Sequence, residues 1–120
     1  MAKLIEIPTF SDARGNLSVV DEIIPFEIKR VYYIYRAEGA RGGHRHKKTI
    51  QGLIAVSGSC EIFVDNGQNS ETINLKSPDK LLIVNPEDWH TMQNFSSDCV
   101  LLVLSSEHYD RNDYIDQPYR

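Results

Sequence analysis

His44 and His46 stand two residues apart in Arg41-Gly42-Gly43-His44-Arg45-His46, and they are two of the chain's four histidines. Side chains at i and i+2 of a β-strand point to the same face. A strand here puts both imidazoles on one wall of one cavity and turns Arg45 and Lys47 the other way. Two neighbouring imidazoles can ligate a metal, or they can move protons at neutral pH, where histidine titrates. Gly42 and Gly43, just ahead of the pair, mark a backbone that something approaches closely. The plain alternative is a solvated basic strand at a sheet edge. From Arg41 to Lys48 there are four cations and two histidines but no carboxylate. Such a patch suits an anionic small molecule, or it merely solvates a strand.

The chain that must position these residues has 120 of them, enough for one domain, 1–120, with a real core. A composition of 41% hydrophobic and 25% charged residues is that of a globular protein. The net charge of −4 argues against a general nucleic-acid binder. Cys60 and Cys99 lie in apolar, strand-like stretches without CxxC spacing. They read as reduced core thiols of a cytoplasmic protein, with a disulfide as the alternative. The N-terminus lacks an apolar signal-type region, and the longest clean apolar run, Cys99 to Leu104, is too short to span a bilayer. A soluble protein without a membrane partner is expected.

Short strands dominate the pattern. Lys3 to Ile7 reads as a strand ended by Pro8, Ser11 to Asn16 as a turn, and Leu17 to Val20 as a second strand. Asp21 to Pro25 is a loop or a single helical turn. Ile28 to Tyr35 is β-branched and aromatic, with Arg30, Tyr32 and Ile34 on one face and Val31, Tyr33 and Tyr35 on the other. After the histidine strand come Gln51 to Val56, then Cys60 to Val64 and Thr72 to Leu75 joined through Asn66-Gly67. Asn-Gly is a tight-hairpin signal, because both turn positions need positive φ. Lys80 to Val84, Trp89 to Phe95 and Val100 to Leu104 complete the set. The polar tail from Glu107 is a short helix or an extended arm. About ten short strands separated by turns, with no sustained helical period, predict an all-β sandwich or barrel.

The motifs carry a resemblance. His44-x-His46, then Gln51 and Gly58, resembles the first cupin motif, and Pro86-x-x-x-His90-x-x-x-Asn94 resembles the second. The jelly-roll cupin barrel sets these on facing strands, which implies that His44, His46, Gln51 and His90 meet. A metal cupin would use three histidines and a glutamate. Gln51 stands at the acidic position, and a neutral amide is a poorer ligand for a divalent cation. Further pieces are similar to the dTDP-4-oxo-6-deoxyglucose 3,4-ketoisomerases. They are Arg30 to Ile34, Arg41-Gly42-x-His44-x-His46-Lys47-Lys48, Gly58-Ser59-Cys60, Trp89-His90, Phe95 to Val100, and Tyr109-Asp110-x-x-Asp113-Tyr114-Ile115. That resemblance spans nearly the whole chain. It implies a metal-free, cofactor-free homodimeric cupin with an exchanged N-terminal strand, acting on a dTDP-linked 4-oxo-6-deoxy sugar for surface glycans. Asp12-x-Arg14-Gly15 resembles the opening of the dTDP-sugar 3,5-epimerases, where the arginine reaches a nucleotide in the neighbouring subunit.

The residue types suit this chemistry on their own. Moving a keto group from C4 to C3 takes the C3 proton, passes through an enediol(ate) and returns a proton at C4. Hydroxyl protons move between O3 and O4, and there is no net oxidation. Two adjacent groups that titrate near neutrality are needed, and His44 and His46 supply them. Tyr32 is preferred to Tyr33 for the cavity because it shares a face with Arg30. Arg14, Arg30 and Arg41 are candidates for the diphosphate, since guanidinium forks match phosphate oxygens. Gly15, Gln51, Trp89 and His90 complete the expected binding set. Each has a plainer reading: Arg14 as a turn residue, Trp89 as a wall, His90 as a structural histidine. His108 is expected in solvent. The rival functions are a 3,5-epimerase, a metal-dependent small cupin enzyme and a non-catalytic sugar-nucleotide-binding cupin.

Overall fold

The computed structural model describes all of Met1–Arg120. The strands are β1 (Lys3–Glu6), β2 (Thr9–Asp12), β3 (Gly15–Ser18), β4 (Arg30–Tyr35), β5 (Arg41–His46), β6 (Gln51–Ser57), β7 (Cys60–Asp65), β8 (Ser70–Leu75), β9 (Lys80–Val84), β10 (Trp89–Gln93), β11 (Val100–Ser105) and β12 (Tyr114–Ile115). The single helical element is a 3-10 turn at Arg111–Asp113. There are two five-stranded sheets, β1-β9-β6-β11-β4 and β12-β5-β10-β7-β8, and a separate two-stranded sheet, β2-β3. Every pairing is antiparallel. The all-β jelly-roll expectation holds.

The main core lies between the two sheets. β6 contributes Leu53 and Ala55, β7 Cys60, Ile62 and Val64, β9 Leu82 and Val84, and β11 Leu101 and Val103. On β7, these inward residues alternate with the less buried Glu61 and Phe63, as a pleated strand with one face inside requires. β6 is different. Ile54 turns outward into a second cluster with Leu81, Ile83 and Leu104, which Ile23, Ile24 and Phe26 cover. The segment after β3 thus roofs the outer face of the first sheet, so β6 is buried on both faces and reads as a continuous apolar run. The thiols of Cys60 and Cys99 are free and buried in this core. Burial pushes the Cys60 thiol up to about 12, so it is not a nucleophile.

Three local expectations need correction. Ser11 to Asn16 is not only a turn: β2 and β3 pair from Thr9↔Ser18 to Asp12↔Gly15, forming a hairpin whose residues are all exposed. The Asn66-Gly67 connection is a four-residue turn, because Asp65 pairs with Ser70. Only Gly67 has positive φ, and Asn66 Oδ1 accepts from the backbone N–H of Gln68 and of Asn69 at 2.9 and 2.8 Å. The Asx-type side-chain bonds of Asn66 win over the tight hairpin. The tail is not one or the other of the two expected forms but both, a short helical turn followed by an extended arm. It makes the 3-10 turn, pairs β12 with β5, and then crosses the outer face of the second sheet. Trp89 Nε1 donates to the Asp116 carbonyl at 3.0 Å, the Tyr119 hydroxyl donates to the Glu87 carbonyl at 2.8 Å, and Arg120 forks onto Asp65 at 2.9 and 2.7 Å.

Candidate active site

At one end of the barrel the apolar interior becomes polar. The first sheet supplies a cross-strand row, Arg30 opposite Ser105 opposite Gln51, with Tyr32 two residues along β4 on the same face. The second sheet supplies His44 opposite His90 and His46 opposite Tyr114. The expected shared face is present: the rings of His44 and His46 have centroids 5.0 Å apart, and His90 lies 5.0 Å from His44. The Tyr114 ring sits 4.6 Å from both His44 and His46. Gly42 is required by a close approach. Its φ is +86°, and a Cβ there would lie 2.9 Å from the His90 carbonyl oxygen.

His46 is the most tightly specified of these groups. It is 4% exposed, and Nδ1 bonds Asp113 Oδ2 at 2.9 Å, while Nε2 is buried with no partner. Asp113 also accepts the Thr49 hydroxyl on Oδ2 and the backbone N–H groups of Lys47 and Lys48 on Oδ1 at 3.2 and 2.8 Å. Burial pushes the Asp113 pKa up, but these hydrogen bonds outweigh it and hold the carboxyl below its usual range. An ionised Asp113 makes Nδ1 the protonated nitrogen and leaves the Nε2 lone pair bare. Burial lowers the His46 pKa, and the Asp113 hydrogen bond works the other way. The result is a neutral base whose imidazolium has a counter-ion waiting.

His44 is half-buried, and burial, with the neighbouring His46 adding to it, lowers its pKa to about 4. His90 is fully buried, and burial takes it to about 4 as well. Its Nδ1 bonds the Asp88 carbonyl at 3.1 Å, and its Nε2 is also without a partner. His90 is therefore anchored like a structural histidine and still presents a bare nitrogen beside His44. Tyr32, not Tyr33, faces the interior: Tyr33 is 61% exposed. Burial raises the Tyr32 phenol, whose oxygen accepts from Gln51 Nε2 at 3.2 Å. The Arg30 guanidinium lies 5.2 Å from the Tyr32 ring and 5.6 Å from the Tyr109 ring.

The remaining expected residues fall into two groups. Arg41 begins β5 and is exposed at its end. Trp89 does not join the histidines: next to the inward His90 on β10 it points to the opposite face, where it packs against Phe63 and donates its N–H to Asp116. Arg14 and Gly15 are not brought to the histidines within the chain. They occupy the exposed hairpin, where Arg14 pairs with Asp12 at 2.6 Å. Asp113, Tyr114 and Thr49 were not among the expected site residues. No local pattern ties Asp113 to a histidine 67 positions earlier; the one signal was the tail run containing Asp113-Tyr114-Ile115.

The family model described as "FdtA: WxcM-like, C-terminal" matches residues 1–120. A TDP-4-oxo-6-deoxy-alpha-D-glucose-3,4-oxoisomerase from Aneurinibacillus thermoaerophilus is 47% identical over 119 residues, covering 96% of this chain and 86% of that one. A 3,4-ketoisomerase from Helicobacter canadensis superposes with a TM-score of 0.91 at 41% identity, over 97% of this chain and 90% of that one. The sugar 3,4-ketoisomerase from Thermoanaerobacterium thermosaccharolyticum, solved in complex with TDP, gives 0.91 at 41% identity, over 97% and 88%. A dTDP-4-dehydrorhamnose 3,5-epimerase from Bacillus anthracis shares the fold, with a TM-score of 0.83 at 16% identity, over 94% and 76%. By full-length family match, by near-half identity to an oxoisomerase and by superposition, this chain belongs to the dTDP-4-oxo-6-deoxyglucose 3,4-ketoisomerase family.

Proposed function

We propose that the protein is an isomerase that converts dTDP-4-oxo-6-deoxyglucose to a dTDP-3-oxo-6-deoxyhexose by histidine-mediated proton transfer. The observation that supports the mechanism best is the His46–Asp113 pair, with its bare Nε2 turned away from the carboxylate and a second neutral imidazole alongside. His46 Nε2 takes the proton from C3. The C3–H electrons form the C3=C4 bond, and the carbonyl pair moves onto O4. His44 takes the O3 proton and delivers one to O4. The O3 electrons then close the new carbonyl, and C4 takes back a proton. Asp113 stabilises the imidazolium that exists between the two carbon proton transfers. A positioned acid or base of this kind contributes roughly 10²–10⁴-fold. Protons and electrons balance within the sugar, so no redox cofactor is called for. The amide of Gln51, a poorer ligand for a divalent cation than a carboxylate, favours a reaction that needs no metal.

Binding falls to the groups around the histidines. Arg30 and Arg41 face the diphosphate, and His90 bounds the sugar. Arg14 and Gly15 serve the site of a second copy in a homodimer with exchanged N-terminal strands. Two features support the dimer: an exposed hairpin carrying Phe10 and Leu17, and the exposed row Val31, Tyr33 and Tyr35 along the edge strand β4. The product serves cytoplasmic deoxysugar synthesis for surface glycans; no helix of the chain is long and apolar enough to cross a membrane. Incubation with dTDP-4-oxo-6-deoxyglucose in deuterated water, followed by NMR, tests the function. A 3-oxo product carrying deuterium at C4 is expected. A product that keeps its keto group at C4, as a 3,5-epimerase would give, overturns the reading.

A further inference from the structure

Gln51 stands where metal-binding cupins place a carboxylate, and it is 1% exposed. Its amide nitrogen lies 3.2 Å from the Tyr32 hydroxyl oxygen and 3.4 Å from Ser105 Oγ, while Oε1 has no partner. The nitrogen has two hydrogens to give and the geometry offers two acceptors. Turning the amide over would strand two donors in place of one carbonyl oxygen, so this orientation leaves the fewest groups unpaired. Because an amide N–H can only donate, the Tyr32 oxygen accepts in this bond, and its own proton must point elsewhere. The Tyr32 hydroxyl makes no other hydrogen bond within the chain, and the Arg30 guanidinium, 5.2 Å from its ring, cannot accept one. The Tyr32 O–H is thereby left for whatever occupies the space beside the histidines.

We propose that Gln51 is a positioning residue: by donating to the Tyr32 oxygen, it fixes that hydroxyl as a hydrogen-bond donor to the sugar oxygen that gains negative charge when C3 loses its proton. The proposal rests on the ketoisomerase reading and adds to it a reason for the amide. A carboxylate of the same length has no hydrogen to give. It would take the Tyr32 proton for itself and leave the enediolate oxygen facing a lone pair. No proton need leave Tyr32, since the hydroxyl acts as a preorganised donor at the point where charge develops.

A double-mutant cycle tests this, with kcat, KM and TDP affinity measured for each variant. Tyr32→Phe should lower kcat by about 10²-fold, the loss expected for one oxyanion donor. Gln51→Met, similar in volume and unable to donate, should lower kcat by about 10-fold with KM and TDP affinity near wild type. Gln51→Glu should be at least as slow as Tyr32→Phe. The combined Gln51→Met/Tyr32→Phe variant should be no slower than Tyr32→Phe alone, because Gln51 acts through the hydroxyl. A purely structural role would instead lower TDP affinity or give losses that multiply. Multiplying losses, or a Gln51→Glu enzyme with wild-type kcat, overturns the proposal. If Gln51→Glu does not fold, the uncharged Gln51→Met arm decides alone. Failure of the wild-type enzyme to form any 3-oxo sugar would instead overturn the ketoisomerase reading, and it shows before any variant is made.

Discussion

Acidification from about pH 7.5 to about pH 5 should weaken this fold by several kcal/mol through its buried imidazoles, before the paired carboxylates are protonated. His90 has no exposed surface, and its folded pKa lies at about 4 against 6.5 in the open chain. A group whose folded value is depressed contributes stability that is complete above its unfolded value and is lost as pH falls towards the folded one. Between those limits the unfolded chain takes up a proton that the folded chain refuses. Over the whole window the His90 shift is worth on the order of 3 kcal/mol, with a slope approaching about 1.4 kcal/mol per pH unit. His44 shifts the same way but is only half-buried, so solvent screening reduces its share, and Asp113 tempers the fall at His46. Burial raises the Asp88 carboxyl, which opposes the trend only at the acidic end. The assay is a series of urea denaturations across this range. His90→Asn removes one titrating group and should flatten the curve by roughly 1 kcal/mol per pH unit between about pH 6 and pH 5. A wild-type midpoint that stays flat from pH 7 to pH 5, or a variant curve parallel to it, would refute the reasoning.

Asp113→Asn should lower kcat by about 10²-fold or more with TDP affinity near wild type, because the imidazolium loses its counter-ion. Its acid limb of kcat/KM should move to lower pH, since Asp113 is what holds the His46 pKa up against burial; an unmoved limb contradicts the pairing. Gly42→Ala should cost about 1–3 kcal/mol by thermal or urea unfolding, because the position has positive φ and the new methyl meets the His90 carbonyl. Wild-type stability there would show that β5 and β10 can separate freely. Arg120→Ala should leave global stability little changed, as expected for a pair with one exposed partner, yet speed amide exchange in the 113–120 arm. Unchanged exchange would mean that Arg120 does not hold the arm down.

The period-2 pattern of β4 and the HxH spacing of β5 made the interior residues readable, since alternation is geometric and needs no partner to be known. Tyr32 inside with Tyr33 outside, and His44 together with His46, follow from it. The second motif was readable as a resemblance, but the double character of His90 was not, because its anchor is a backbone carbonyl. What escaped the sequence is what the tail does. Asp113 becomes a partner of His46 only once β12 pairs with β5 and the chain turns at Arg111–Asp113. Those long-range contacts leave no local signature in a polar stretch. The β2-β3 hairpin was hidden for a related reason. It has no buried face in the single chain, so the alternation that marks a half-buried strand is absent.

The central claim is that His46 is the carbon base, and hydrogen exchange at C3 tests it most directly. Wild-type enzyme, His46→Asn and His44→Asn would each be incubated with dTDP-4-oxo-6-deoxyglucose in deuterated water, and the C3 proton followed by NMR alongside TDP affinity. The expected result is fast C3 exchange in wild type and none in His46→Asn, with nucleotide affinity preserved in both variants. His44→Asn should cut product formation by roughly 10²-fold while C3 exchange survives. C3 exchange at the wild-type rate in His46→Asn would contradict the assignment and leave the Asp113 pair a structural device.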